Sequence, residues 1–99
     1  MNNFENPQSR EEVYYTAGGK TKTVDSTSSF AKKIDRENGI DTYYIKYARG
    51  RVFDPWGIYK DRARSLNPSY KRVPEKIFNF YIEYLKTRNK SYLRKVERN

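Results

Sequence analysis

The chain contains neither cysteine nor histidine. Without cysteine there is no disulfide, no thiolate zinc site and no cysteine nucleophile, and nothing points to an oxidising compartment. Without histidine the commonest general base near neutral pH is missing, along with the usual ligand of zinc, copper or non-haem iron. Long apolar runs are missing too: no stretch approaches the roughly 18 residues of a membrane-spanning helix. The opening residues, among them Asn2, Asn3, Glu5 and Asn6, have neither the positive start nor the apolar middle of a signal peptide. An acid and base drawn only from Asp, Glu, Lys or Tyr would need a deep cleft, which a chain of this size rarely builds. The expectation is therefore a non-enzymatic protein with no cofactor, no metal, no small-molecule substrate and no membrane partner.

What is present is cationic and aromatic. Twenty-one Lys and Arg stand against twelve Asp and Glu, and ten tyrosines, five phenylalanines and one tryptophan outweigh a thin aliphatic content. The formal charge of +9 is unevenly spread: residues 1–29 sum to −1, which leaves +10 for residues 30–99. Such an imbalance favours an anionic partner, either nucleic acid or acidic protein, over a merely solvated surface.

The stretch Val73–Val96 organises the rest. Pro74 suits a first helical turn, where the missing N–H costs nothing, and Glu75 suits the positive end of the helix dipole. No glycine or further proline interrupts it, so the spacing predicts one long helix over 74–97. Ile77, Phe78, Phe80, Tyr81, Ile82, Tyr84 and Leu85 spread over an arc of roughly 200°. From Arg88 onward the arc fills with charge, leaving Tyr92, Leu93 and Val96 as a narrow seam. The helix is expected to leave its core there and project a basic end.

Ahead of it, residues 1–12 are polar and too poor in apolar side chains to order themselves. Residues 13–24, VYYTAGGKTKTV, read as a hairpin around Gly18-Gly19, and residues 1–29 together as an extended arm. The fragment Gly19-Lys20-Thr21 is not a phosphate loop, because the earlier glycine such a loop requires would fall at Tyr14. Ser28 or Ser29 can cap a short helix carrying Phe30 and Ile34, stopped by Gly39, with Ile40 folding back on Ile34. Asp35, Glu37 and Asp41 lack the alternation of a calcium loop.

Thr42–Ala48 alternates cleanly, with Tyr43, Ile45 and Tyr47 on one face and Tyr44, Lys46 and Ala48 on the other, the pattern of a half-covered strand. Arg49-Gly50-Arg51 reads as its turn, and Val52-Phe53 as the return. Asp54-Pro55-Trp56-Gly57 places its residues where a type I turn prefers them. Ile58–Leu66 suits a short helix ended by Asn67-Pro68, and Ser69–Val73 an extended link. The fold class expected is α+β: one small domain over 30–99, with short antiparallel hairpins on a long C-terminal helix and the arm before it.

Tyrosine, tryptophan and arginine are what partner-facing surfaces contain. Tyr14, Tyr15, Trp56, Tyr70 and Tyr92 are the candidate partner-binding residues, although Trp56 on its rigid corner reads first as a cap on the core and only alternatively as an exposed anchor. The expected function is a structural or assembly subunit docking on other protein subunits. The Asn, Lys and Tyr richness is that of an AT-rich coding sequence, common in bacteriophages, and suggests a minor virion protein of capsid, neck or tail, located in the virion or host cytoplasm. The alternative is a small nucleic-acid-binding protein, single-strand or ribosome-associated, acting through Arg49, Arg51, Arg62, Arg64, Arg88, Lys90, Arg94 and Lys95. In that reading Tyr43, Tyr44 and Tyr47 would stack bases beside the turn arginines.

Overall fold

The computed structural model of the chain describes residues 11–24, 28–35, 40–57 and 68–98. They form a small single α+β domain, an antiparallel sheet with two helices. The expected helix over 58–66, Arg62, Arg64 and the first ten residues of the arm lie outside this set.

Strands β1 (Glu11–Thr16) and β2 (Thr21–Lys22) make the hairpin read from Gly18-Gly19. Both glycines take positive φ, +90° and +77°, which an L side chain adopts only with strain. The Gly18 N–H donates to the Leu85 carbonyl at 2.9 Å, so this turn also caps the end of the first helix. β1 runs antiparallel to β3 (Ser29–Asp35), and β3 to β4 (Thr42–Ala48). β4 turns through Arg49-Gly50, both at positive φ, into β5 (Arg51–Val52), the geometry of a tight two-residue hairpin. β6 (Ser69–Val73) pairs with β4 from Tyr43 to Tyr47. Residues 43–45 pair with both β3 and β6, so those strands flank β4 on opposite edges. Tyr47 pairs with both Val52 and Ser69, which puts β5 on the β3 edge.

The segment expected to be a short helix at Phe30 is thus a strand near the middle of the sheet. Its helical signals span little more than one turn, and so short a helix is marginal without packing. As β3 it gains two ladders of backbone hydrogen bonds and buries Ala31 and Ile34, so tertiary pairing overrides local preference. Ile40, expected to fold back on Ile34, stands 59% exposed.

The C-terminal helix is two helices. α1 (Glu75–Thr87) ends where Arg88 turns left-handed, φ +63°, its N–H bonded to the Tyr84 carbonyl at 2.8 Å. Asn89 then caps α2 (Lys90–Glu97), its side chain accepting from the Ser91 N–H at 3.0 Å. The break corrects the expectation of a projecting end. Leu93 and Val96 are buried in the same core as α1, which a straight helix would have carried away from it.

That core lies between the helices and one face of the sheet. Ala31, Ile45 and Val73 meet Ile77, Phe78, Tyr81 and Leu85, and the Tyr15 and Tyr43 rings close on Phe78 at 5.4 and 5.0 Å between centroids. On the opposite face Phe30 stacks on Phe53 at 5.5 Å, with Ala48 beside them. The alternation read in β4 holds: Ile45 is fully buried under the helices, while Tyr44 and Lys46 point the other way.

Candidate docking surface

The Asp54 corner is tied to both helices. A four-residue turn forms at Asp54–Gly57, the Gly57 N–H donating to the Asp54 carbonyl at 3.1 Å. The Asp54 carboxylate is 8% exposed as a residue, yet it is well partnered. It accepts from the Trp56 N–H at 3.0 Å and the Tyr84 hydroxyl at 2.5 Å, and faces the Lys90 ammonium at 3.6 Å. Tyr81, also fully buried, donates to the Phe53 carbonyl at 2.5 Å. Burial, with the Asp54 charge alongside, pushes the Tyr81 phenol well above the ordinary tyrosine range; burial and the bond to Asp54 do the same for Tyr84.

Trp56 is held on this corner, half-buried, edge-on to Tyr84 at 5.4 Å. The Arg88 guanidinium covers it at 4.8 Å from the ring centroid. A second aromatic pair spans the helices: Phe80 and Tyr92 lie 6.5 Å apart and the Lys95 ammonium stands over both, at 5.1 and 5.8 Å.

The sheet face turned away from the helices repeats the motif. Cross-strand partners share a face, which places Tyr14, Lys22, Lys32, Tyr44 and Arg72 side by side. Lys32 lies over the rings of Tyr14, Tyr44 and Tyr70 at 5.7, 5.2 and 4.9 Å, and Lys46 over Phe30 and Tyr70. With cations outnumbering carboxylates, Lys32 rests on aromatic faces and makes no ion pair to a described carboxylate. The consequence is electrostatic: an ion pair cancels two charges, whereas a cation on a ring keeps its own.

The structure separates the residues that sequence reasoning grouped. Tyr14 and Tyr15 alternate to opposite sides of β1; Tyr14 is 7% exposed, its hydroxyl donating to Glu12 at 2.6 Å, and Tyr15 packs on Phe78. Tyr70 is half-buried, its hydroxyl 2.5 Å from that of Ser29. Trp56 and Tyr92 are half-buried beside cations. Tyr43 and Tyr47 face the helices and only Tyr44 the far side, so the three do not form one stacking platform. Arg49, Arg51, Arg88, Lys90, Arg94 and Lys95 are all exposed.

Sequence reasoning missed Lys32, Lys46, Phe80 and the bonding role of Asp54. Lys32 was legible in the alternation of Phe30, Lys32 and Ile34 against Ala31 and Lys33, had the segment been read with period two. Among the described residues there is no cluster of metal-binding side chains and no helix long and apolar enough to cross a membrane. Compared with protein-family models, with curated proteins and with solved structures, the chain matches none.

Proposed function

We propose that this protein is a non-enzymatic docking subunit of a larger assembly, of the kind a minor bacteriophage virion protein represents. The observation that carries the reading is the aromatic pair of Phe80 and Tyr92 under Lys95, with Trp56 under Arg88 on the neighbouring corner. These rings are half-buried, and each has a cation over it. Rigid amphipathic rings bordered by Arg or Lys are what anchors at partner interfaces consist of.

The test is incorporation. A tagged chain should co-sediment with a particle in native extracts, and Phe80→Ala with Tyr92→Ala should reduce that by tenfold or more, on the order of two anchor residues' worth of binding. Thermal unfolding checks that the variant still folds. A wild-type chain that sediments alone as a monomer would sink the reading. Deleting residues 1–29 is a poor test, because β1 and β2 belong to the sheet.

A second reading, a nucleic-acid-binding protein, draws on the cations held over rings rather than on carboxylates. Their field survives folding, and a phosphate backbone is the partner it attracts most strongly.

A further inference from the structure

The two basic segments that sequence places forty residues apart are brought to one surface. α2 packs against β5, and the Arg51 guanidinium reaches Glu97 at 3.7 Å. Lys90, at the start of α2, reaches Asp54 at 3.6 Å, so the run from Arg51 to Asp54 lies along the helix. Lys90, Arg94 and Arg98 follow one another at every fourth position, roughly 6 Å apart along the axis. Leu93 and Val96 are buried on the other side of that helix. Arg88 precedes them, its guanidinium fixed on Trp56 at 4.8 Å, and Arg49 sits in the β4–β5 turn. Among the described residues six exposed cations thus share a ridge with two carboxylates, Asp54 and Glu97, a net of +4.

The backbone of the ridge is unusual in one respect. Among the described residues only two that are not glycine have positive φ, Arg49 at 55° and Arg88 at 63°. Asparagine or glycine holds such a position at lower cost, so an arginine there is conformationally the wrong choice. Both belong to this ridge. Arg49 is in a two-residue turn and Arg88 ends α1, and an arginine at a sparsely populated backbone conformation in both places motivates a functional reading.

From these observations we infer that Arg49, Arg51, Arg88, Lys90, Arg94 and Arg98 form a sequence-independent binding surface for the phosphate backbone of nucleic acid. The inference deepens the second reading above and does not depend on the docking role. Arg88 and Arg51 are pre-positioned by Trp56 and Glu97, while Arg49, Arg94 and Arg98 face solvent with no ion pair to a described residue. A guanidinium stacked on an indole still presents its outer N–H groups, in a planar fork that matches phosphate oxygens.

The experiment is fluorescence anisotropy of the full chain with a labelled mixed-sequence duplex of about twenty base pairs, between 50 and 200 mM salt. Some four phosphates neutralised predict an affinity loss of about a hundredfold across that range. Arg94→Ala with Arg98→Ala should reduce this to about tenfold. Arg72→Ala with Lys76→Ala removes the same charge near the far end of α1 and should leave the salt dependence unchanged. Arg49→Asn separates binding from folding, since it should raise the melting temperature while lowering the salt slope by about one unit. No binding at 50 mM salt, an equal effect of the two charge-matched pairs, or preference for a polyglutamate peptide over the duplex would each overturn the inference. An Arg94/Arg98 variant that loses the duplex but still enters its particle supports this surface and leaves the docking proposal standing. One that loses the particle and keeps the duplex overturns the inference.

Discussion

The buried tyrosines of α1, against the inner side of the sheet, and the half-buried tyrosines of its outer face are used in different ways. In α1, Tyr81 and Tyr84 are fully buried and each hydroxyl has an acceptor, the Phe53 carbonyl or the Asp54 carboxylate. On the far face, Tyr44 and Tyr70 are half-buried and lysines lie over their rings, Lys32 over both and Lys46 over Tyr70, whose hydroxyl also meets that of Ser29. The inner tyrosines act as hydrogen-bond donors that stitch α1 to the corner after β5. The outer ones act as platforms for positive charge. Tyrosine therefore compensates for the two shortages of this chain, too few aliphatic side chains for the core and too few carboxylates for the lysines.

If the inner face depends on fixed donors and acceptors, removing its shared acceptor should do the most damage. Asp54→Ala strands the Tyr84 hydroxyl and the Trp56 N–H and releases Lys90. We expect a loss of about 3 kcal/mol, read as a fall in melting temperature of well over 10 °C for a domain of this size. A change of only a few degrees would mean that the corner is held by apolar packing instead.

The next effect is alkaline. Both buried phenols have folded-state pKa values raised above the unfolded value of about 10, so the neutral form is the one the fold prefers. Their contribution is complete below about pH 10 and is lost as pH rises past it, because the unfolded chain then releases protons that the folded chain retains. Each pH unit above 10 should cost roughly 1.4 kcal/mol per phenol. Denaturant titrations at pH 9, 10 and 11 would measure this, and a flat profile would contradict the burial of these groups.

The smallest effect sharpens the contrast most directly, since one substitution is made on both faces. Tyr84→Phe removes a bond to a carboxylate and should cost about 2 kcal/mol. Tyr44→Phe keeps the ring on which Lys32 rests and should change stability by less than about 0.5 kcal/mol. Equal losses would show that the two faces are not used differently.

Much of this fold was readable locally. Gly18-Gly19, Arg49-Gly50 and Asp54-Pro55-Trp56-Gly57 are turns because few residues reach their backbone conformations or close them with a side chain. β4 was legible from period two, and α1 from Pro74 and its apolar arc. The failures also have definite causes. At Arg88 the apolar arc does narrow, but narrowing alone cannot tell a projecting helix from one that folds back. The cap that decides it, Asn89 two residues before Ser91, is a weak signal among so many polar residues. At Phe30 a short helix and a strand compete on nearly equal local terms, and the outcome rests on β1 and β4, which lie elsewhere in the chain.

The sequence by itself determined the turns, the alternation of β4, the first helix and the excess of positive charge. Each follows from sterics and composition within a few residues. Tertiary structure alone decided that β3 is a strand, that α2 returns to the core, which tyrosines bond and which carry lysines, and that Arg49 and Arg51 share a ridge with α2. Those outcomes depend on which distant segments become neighbours, and neighbours are chosen by the burial and hydrogen bonding of the whole domain.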